Sequence, residues 1–339
     1  MPIEELPTID VKALVDGSAG RGSVADEIGR ACRDSGFFYI TGHGVDDALQ
    51  ADLERLSPQF FALELEQKLQ VRMARGGRAW RGYFPLGDEL TSGRPDLKEG
   101  LYFGAELAAD HPTVVAGTPL HGPNLFPVRP AGLRETVLAY MAALTRLGHA
   151  LMAGIALSLE LDEAYFADRY TTDPLILFRI FNYPVLADSV DPTAWGVGEH
   201  TDYGLLTILK QDGNGGLQVK SRSGWIGAPP VPGSFVCNIG DMLDRLTGGL
   251  YRSTPHRVVR SVAHGRLSWP FFFDPNFHAD VTPVGRHELA ADDADQRWDH
   301  KSVHDFNGTY GEYLMAKVAK VFPDLAPPRL ISRGHIDHE

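Results

Sequence analysis

Basic residues are few in this sequence of 339 residues, and so are cysteines and long apolar runs. Lysine and arginine together number 32 against 44 aspartates and glutamates, which gives a formal net charge of −12. This balance argues against nucleic acid or an anionic membrane surface as a partner, since both need a basic face. An anionic small molecule is still compatible with it, because one local arginine can bind a carboxylate on an acidic protein.

The two cysteines, Cys32 and Cys237, are too few for a disulfide framework and are expected to be reduced thiols in the core. No uninterrupted apolar stretch approaches the roughly 20 residues of a membrane span, so no membrane partner is expected. The opening residues, MPIEELPTID, are acidic and show no apolar segment of a secretory signal. We therefore expect a cytoplasmic protein.

The pattern of the sequence changes near residue 175. Before it come an extended piece (LPTIDVKAL), a helix, the strand FFYITGHGV, a loop-rich region and a long apolar helix. After it, short strand-like runs alternate with Gly, Pro, Asn and Asp turns, which favours a sandwich or barrel of antiparallel strands. The prediction is an α+β, mainly β, protein. Its expected parts are an N-terminal domain, backbone helices packing on the core, a β core, and a C-terminal loop and helix, at 1–120, 121–174, 175–280 and 281–339.

His200 and Asp202 lie two residues apart in HTDYGLLTIL, which reads as one strand. Side chains alternate along a strand, so both would point to one side, with Cα atoms roughly 6.8 Å apart. An imidazole and a carboxylate on one face can share a metal ion. His256, in STPHRVV on a later strand, is the best candidate for a third ligand. Two histidines and one carboxylate form the facial triad of non-haem Fe(II) oxygenases, which leaves positions open for dioxygen and a chelating cosubstrate.

Arg266 and Ser268, in RLSWPFF, form a second polar group on one strand face. A guanidinium beside a hydroxyl suits a carboxylate, such as the far end of a dicarboxylate whose 2-oxo acid end chelates iron. Tyr183, in FNYP, would add a hydroxyl from a neighbouring strand. A zinc hydrolase would also accept the three metal ligands, but it leaves this clamp unexplained.

In this order, HTD, STPHRV and RLS resemble the isopenicillin N synthase-like branch of the Fe(II)/2-oxoglutarate-dependent dioxygenases. LPTIDVKAL and ACRDSGFFYITGHGV resemble its N-terminal domain, and FNYP, HTDYGLLTIL and NIGDML its catalytic domain, so the likeness covers most of the chain. The resemblance implies a double-stranded β-helix (jelly-roll) core with flanking helices. It further implies that His200, Asp202 and His256 bind Fe(II) and that Arg266 and Ser268 bind the distal carboxylate of 2-oxoglutarate.

The resemblance also carries an expected function and its alternatives. It implies an enzyme that uses Fe(II), 2-oxoglutarate and O2 to hydroxylate, desaturate or cyclise a small molecule at a C–H bond, releasing succinate and CO2. Tyr183 matches a tyrosine of the family, although Phe181 stands where many members have asparagine. Isopenicillin N synthase is similar at the Arg and Ser positions yet needs no 2-oxoglutarate, so an iron oxidase independent of 2-oxoglutarate is one alternative. Others are ethylene formation, since STPHRV and DPNFHADVTP resemble the ethylene-forming enzyme, and a non-catalytic binding protein on the same fold.

Four further residues are candidates for contacts with a substrate, which can itself carry a carboxylate. Phe271 and Phe273 would share the strand face of Arg266, unless the intervening proline shifts the register, and would wall the pocket or pack in the core. Arg81 and Tyr83, in WRGYFPLG, lie where the isopenicillin N synthase pattern has a similar R-x-G-Y stretch. Arg81 would grip a substrate carboxylate or be an exposed loop arginine.

Other charged and imidazole side chains are predicted to take no part in the site. Lys98 and Glu99, in DLKEGLYFG, are expected to form a charge pair on the surface. His149 is expected to pack on the long helix, and His264 to lie in a hairpin turn. None of the remaining histidines is predicted to bind iron, and no feature of the sequence indicates the oligomeric state.

Overall fold

The structure is a computed structural model, and it describes residues 5–91, 93–185, 195–221, 224–259, 263–283 and 302–322. The strands, numbered in chain order, are β1 (Thr8–Asp10), β2 (Phe37–Thr41), β3 (Gly82–Phe84), β4 (Leu90–Thr91), β5 (Arg94–Pro95), β6 (Glu99–Gly104), β7 (Leu175–Tyr183), β8 (Val197–His200), β9 (Leu206–Gln211), β10 (Leu217–Ser221), β11 (Gly224–Gly227), β12 (Phe235–Ile239), β13 (His256–Val258) and β14 (Arg266–Asp274). The α-helices are α1 (Lys12–Asp16), α2 (Arg21–Asp34), α3 (Asp47–Phe61), α4 (Leu65–Leu69), α5 (Pro112–Val115), α6 (Leu133–Ser158), α7 (Tyr165–Arg169), α8 (Asp241–Leu246) and α9 (Tyr310–Val321).

Two β-sheets face each other across a cavity. The larger has the strand order β1-β2-β12-β9-β14-β7-β6-β3, antiparallel except for the β1–β2 pair. The smaller has the order β11-β10-β13-β8 and is antiparallel throughout. Ser268 of the larger sheet and His256 of the smaller one line the same cavity. The predicted α+β, mainly β, jelly-roll core with flanking helices is confirmed.

Side-chain alternation along β7 separates the two faces of the larger sheet. Leu177, Arg179 and Phe181 line the cavity, whereas Phe178 and Ile180 are fully buried on the other side. A strand that is covered on both faces reads as a nearly continuous apolar run, which explains why LILFRIFNY lacks the polar alternation of a half-exposed strand. The one charged side chain in this run therefore belongs to the cavity.

The long helix α6 packs across the outer face of the larger sheet. Its buried residues include Val137, Leu144 and Leu151, which recur every seven residues and so lie on one side of the helix. Gly148 allows a close approach, since a Cβ there would lie 2.7 Å from a ring carbon of Phe273 on β14. The helix is long and apolar enough to cross a membrane by length and composition, and 50% of its most apolar stretch is buried inside the structure. Its packing on the sheet is that of a core helix.

A smaller apolar cluster joins the two sheets near β2. It includes Phe37 from β2 and Leu217 and Val219 from β10, so it connects a strand of the larger sheet with one of the smaller. Cys32 and Cys237 are both buried and unbonded, as predicted. Apolar packing rather than covalent cross-linking therefore holds the sheets together.

The N-terminal and C-terminal halves of the chain contribute to one sheet. β1 and β2 extend it beyond β12 on one side, and β6 and β3 extend it beyond β7 on the other. The division of the chain at residues 120, 174 and 280 stays a prediction. Of its last part, residues 284–301 and 323–339 lie outside the described residues.

The packing of α6 can be tested with Leu144→Ala. Leu144 is fully buried, so the variant should lose about 2–5 kcal/mol of unfolding free energy through lost burial and a cavity. Urea denaturation followed by circular dichroism measures this loss. Val128, which is 89% exposed, supplies the control: Val128→Ala should change the free energy by no more than about 0.5 kcal/mol. Equal stabilities for the two variants would contradict this packing.

Candidate metal centre and its cavity

Three potential metal ligands converge at one end of the cavity: His200, Asp202 and His256. The Nε2 atom of His200 lies 3.9 Å from Oδ1 of Asp202, and Nε2 of His256 lies 3.8 Å from the same oxygen. Two donors that each bond one ion at about 2.0–2.2 Å are at most roughly 4.4 Å apart, so this spacing fits a single ion. Among the described residues, no other group of His, Cys, Asp and Glu side chains comes together in this way.

Strand pairing brings the two histidines together. β13 and β8 are antiparallel, with His256 directly opposite His200, and their ring centroids are 4.2 Å apart. Nδ1 of His200 is 2.8 Å from the carbonyl oxygen of Gly198, and Nδ1 of His256 is 3.3 Å from that of Thr254. A carbonyl oxygen only accepts, so each Nδ1 carries the proton and each Nε2 offers its lone pair to a metal.

Asp202 does not lie on a continuous strand with His200. β8 ends at His200 and β9 begins at Leu206, so the prediction of one strand through HTDYGLLTIL is wrong. The chain turns between them and passes from the smaller sheet to the larger one. Gly204 makes this turn possible, because a Cβ there would lie 1.4 Å from Oδ1 of Asp274. The carboxylate still reaches the histidines, but from a turn.

Hydrogen bonds from the larger sheet orient the Asp202 carboxylate. Its Oδ2 accepts from the Thr207 hydroxyl at 2.6 Å and from Nδ2 of Asn238 at 2.7 Å. Burial raises the pKa of Asp202, but the nearby histidines and these two hydrogen bonds outweigh burial and hold that pKa below its usual range. Burial and the neighbouring His200 lower the pKa of His256 to about 4. At neutral pH the centre is therefore an ionised carboxylate beside a neutral imidazole, the protonation states that metal binding requires.

Arg266 and Ser268 line the same cavity as the three ligands, as predicted from their spacing. The guanidinium carbon of Arg266 is 4.9 Å from the ring centroid of Tyr183, and its Nη2 donates to Oε1 of Gln211 at 3.3 Å. Its Nε and Nη1 are buried without a hydrogen-bond partner among the described residues. Leaving such donors unpaired costs free energy, so an anionic ligand in the cavity would be stabilised here.

The structure corrects the prediction that Phe271 and Phe273 wall the pocket. β14 pairs with β7 in one continuous register on both sides of its proline, so plain alternation holds along the strand. Phe271 and Phe273 follow Arg266 by five and seven residues, and an odd number of residues places them on the opposite face. Pro270 and Phe272 share the cavity face with Arg266. Phe271 and Phe273 are fully buried on the opposite face, towards α6. They are core residues, which was the other interpretation of the sequence.

Arg81 and Tyr83 also lie away from the cavity. Arg81 is buried, not an exposed loop residue, and its Nη2 donates to the carbonyl oxygen of Leu120 at 2.6 Å. The Tyr83 hydroxyl donates to Oε2 of Glu99 at 2.6 Å. Neither side chain lines the cavity, whereas Trp80, just before them, does. The proposed substrate contacts of Arg81 and Tyr83 are thus replaced by structural ones.

A buried charge cluster on the cavity wall was missed by the sequence analysis. Lys98 is 2% exposed, its Nζ lies 2.7 Å from Oε2 of Glu89, and it also pairs with Asp96. The prediction of a surface pair with Glu99 is therefore wrong, since Glu99 is buried too and instead pairs with Lys68. The stretch DLKEG contains Asp96 but not Glu89 or the rest of the surroundings of Lys98, so its polar residues alone give no sign of burial.

Arg179 joins this cluster from β7. Its Nη1 is 3.6 Å from Oε1 of Glu89, and its guanidinium carbon lies 4.2 Å from the ring centroid of Tyr102 and 4.7 Å from that of Phe272. Alternation could have found it, because Arg179 precedes Tyr183 by four residues and so shares its strand face.

Helix α9 covers another side of the cavity. Its residues Leu314, Val318 and Val321 line the wall, and the ring of Phe322 packs edge-on against Trp80 with centroids 5.0 Å apart. A capping box at Thr309 fixes the start of the helix. Apolar side chains from the C-terminal region therefore limit access of water to the polar centre.

The sequence is similar to proteins of one enzyme superfamily. Residues 175–275 match the 2OG-Fe(II) oxygenase superfamily, and residues 6–129 match the N-terminal region of the non-haem dioxygenase in morphine synthesis. A probable iron/ascorbate oxidoreductase from Dictyostelium discoideum is 52% identical, over 95% of this chain and 96% of that protein. This chain belongs to the 2OG-Fe(II) oxygenase superfamily.

Two further proteins show how far the similarity of this oxygenase extends. The 1-aminocyclopropane-1-carboxylate oxidase of Dictyostelium discoideum is 38% identical, over 95% of this chain and 96% of that protein. A full-length Neurospora crassa protein, whose crystal structure was solved in complex with alpha-KG, superimposes with a TM-score of 0.77 at 28% identity, over 93% of this chain and 96% of that chain.

Membership of the superfamily establishes the class of chemistry. This oxygenase uses Fe(II), 2-oxoglutarate and O2 to oxidise a C–H bond of its substrate. The predicted family, enzyme class and cofactors are confirmed. The cavity contains both a group of side chains suited to the metal and, in Arg266, a guanidinium suited to an anion, two of whose donors lack a partner among the described residues.

The charge cluster can be tested with Lys98→Met. Removing the ammonium group leaves two buried carboxylates without their closest cation, which should cost about 3–5 kcal/mol at neutral pH. Both carboxyl groups would then have folded-state pKa values above their unfolded ones, so the folded state binds more protons and the variant gains stability as the pH falls towards about 5. Urea denaturation at neutral and at mildly acidic pH measures both effects.

Lys12→Met is the matched control for this experiment. Lys12 also pairs with a carboxylate, Asp16, but its side chain is 70% exposed. Exposed ion pairs contribute little because water screens them, so this variant should unfold like the unmodified protein at both pH values. A Lys98→Met protein that is equally stable at neutral pH, or that loses stability on mild acidification, would contradict the role assigned to Lys98.

Proposed function

We propose that this oxygenase holds Fe(II) with His200, Asp202 and His256 and binds the distal carboxylate of 2-oxoglutarate with Arg266 and Ser268. One observation carries the proposal: two complementary groups with unused bonding capacity line the same cavity. At one end, two Nε2 atoms and one carboxylate oxygen converge. At the other, two buried N–H groups of a guanidinium lack partners among the described residues.

The separation of these groups suits an extended dicarboxylate. Gly216 lies beside both Arg266 and Val258, since a Cβ there would be 3.7 Å from Cδ of Arg266 and 3.8 Å from Cγ1 of Val258. Val258 is two residues along β13 from His256, a distance of roughly 6.6 Å. A five-carbon diacid can therefore bind the guanidinium with one carboxylate while its 2-oxo acid end lies at the triad.

Neighbouring residues hold His200, Asp202 and His256 in the orientation that metal binding needs. Bound Fe(II) would supply the oxidative decarboxylation of 2-oxoglutarate to succinate and CO2, and with it the oxidation of the substrate. The carbonyl groups of Gly198 and Thr254 hold the imidazole rings with Nε2 towards the carboxylate. Thr207 and Asn238 keep Asp202 from rotating away. Such partners of the ligands orient them before the ion arrives.

The substrate we propose is a small molecule that carries a carboxylate. One related enzyme is named for 1-aminocyclopropane-1-carboxylate, and the Neurospora crassa protein has also been solved with thymine, so relatives act on or bind small molecules. The cavity adds Lys98 and Arg179 to Arg266 as cationic side chains on its wall. We also propose that the enzyme is cytoplasmic. Its net charge of −12 supports the absence of nucleic-acid and membrane partners, since both need a basic face.

The iron site can be tested by the formation of succinate. With Fe(II), 2-oxoglutarate and O2, a screen of small carboxylic acids should contain compounds that raise succinate release by the intact enzyme. His200→Ala should lose this Fe(II)-dependent release, because one of three ligands is removed. Succinate is quantified by mass spectrometry, and circular dichroism confirms that the variant is folded. Consumption of O2 with a substrate but without succinate would instead indicate an oxidase that does not use 2-oxoglutarate.

The cosubstrate site can be tested with Arg266→Met. Hydrogen bonds to a charged group are worth about 1.5–3 kcal/mol, so the Kd for 2-oxoglutarate should rise about 10- to 150-fold. Anaerobic titration of the Fe(II)-loaded protein, followed by visible absorption, measures this constant. Arg134→Met is the control, since Arg134 is 50% exposed and lies outside the cavity lining. An unchanged Kd in Arg266→Met would disprove the assignment.

A further inference from the structure

We infer that Arg179 is the residue of this cavity that binds the carboxylate of the substrate. This inference deepens the proposed function and rests on it. It starts from a simple observation: the cavity wall contains a second guanidinium besides that of Arg266. In both, Nε is buried and has no hydrogen-bond partner among the described residues. Each of these two guanidinium groups can bind one anion with its unused donors, and 2-oxoglutarate accounts for one of the two anions.

The position of Arg179 places it towards the metal end of the cavity. Its neighbour Phe272 is paired with Thr207 on the adjoining strand β9. Thr207 in turn donates to the Asp202 carboxylate at 2.6 Å. Phe272, which contacts the guanidinium, is therefore the strand neighbour of the residue that holds the Asp202 carboxylate. Arg266 lies six residues along β14 from Phe272, so the two guanidinium groups serve different parts of the cavity.

The surroundings of Arg179 favour a carboxylate. Tyr102 and Phe272 come from the two strands that flank β7, and their ring centroids are 4.2 Å and 4.7 Å from the guanidinium carbon. Aromatic rings at these distances cover the faces of the cation. What is left for a ligand is the planar edge of N–H groups, and this edge matches the two oxygens of a carboxylate.

The charge cluster leaves this edge available. Glu89 is the carboxylate next to Arg179, but the 3.6 Å between Nη1 and Oε1 exceeds a hydrogen-bond distance. The same Glu89 accepts from the Tyr102 hydroxyl and lies 2.7 Å from Nζ of Lys98. Glu89 therefore balances the charge of Arg179 without forming a hydrogen bond to Nη1, and Nε also lacks a partner among the described residues.

A probe that does not depend on the natural substrate tests the inference. Butyrate and its uncharged isostere butyramide are titrated into the anaerobic protein loaded with Fe(II) and 2-oxoglutarate, and visible absorption of the metal complex is followed. Butyrate should perturb the spectrum saturably and butyramide at least about tenfold more weakly, since only the former offers a charged acceptor pair. Arg179→Met should weaken butyrate binding by at least about tenfold, and Arg179→Lys, which keeps the charge but not the fork, by less.

Two controls separate this inference from the proposed function. Arg179→Met should retain its 2-oxoglutarate affinity within about twofold, whereas Arg266→Met loses it. Arg134→Met should behave like the unmodified protein with both probes. The inference is overturned if neither probe binds, if butyramide binds as well as butyrate, or if Arg179→Met binds butyrate unchanged. Loss of 2-oxoglutarate binding in Arg179→Met would assign this arginine to the cosubstrate instead. A protein that never forms the 2-oxoglutarate complex would refute the proposed function itself.

Discussion

The antiparallel pairing of β13 with β8 is the constraint on which the centre depends. It sets His256 opposite His200, so that the centroids of two imidazole rings from distant parts of the sequence are 4.2 Å apart. The backbone carbonyl group two residues before each histidine then decides which nitrogen of the ring faces the cavity. The register is critical, since a shift of β13 by one residue would turn the His256 ring to the other face of the sheet, away from His200.

The charged side chains that line the cavity differ in how completely they are paired. The Asp202 carboxylate accepts hydrogen bonds on one oxygen and turns the other towards the histidines. Two guanidinium groups, Arg179 and Arg266, contact aromatic rings yet keep donors without a partner among the described residues. Lys98, by contrast, is paired with two carboxylates. Incomplete pairing raises the free energy of the empty cavity, and this free energy is recovered when ligands of the opposite charge bind.

Local pattern was enough for part of this architecture. Short β-rich runs separated by turns indicated a sandwich or barrel of antiparallel strands, and the family resemblance specified the jelly roll. The five site residues predicted in the motifs HTD, PHR and RLS all line one cavity in the structure: His200, Asp202, His256, Arg266 and Ser268. Alternation also held the answer for Phe272 and Arg179, whose parity with Arg266 and Tyr183 puts them on the cavity face. Phe271 and Phe273 lie five and seven residues after Arg266, so the same alternation places them on the opposite face of the strand.

Other features were set by contacts that no local pattern encodes. The turn that carries Asp202 depends on the approach of Gly204 to Asp274, 70 residues later in the chain. Lys98 is buried only because Glu89 and a strand from the other half of the protein surround it. Arg81 likewise finds its acceptor at Leu120. Whether a charged residue is buried depends on its tertiary contacts. A run of polar residues is therefore predicted to lie on the surface when only the sequence is considered.

The position of α9 has a consequence for how the enzyme matures. The three potential metal ligands are all translated by residue 256, but three side chains that wall the cavity come from Leu314, Val318 and Val321. A nascent chain can therefore assemble its two sheets while the polar centre is still open to water. The apolar wall formed by these three side chains is complete only after helix α9 has docked on the rest of the cavity.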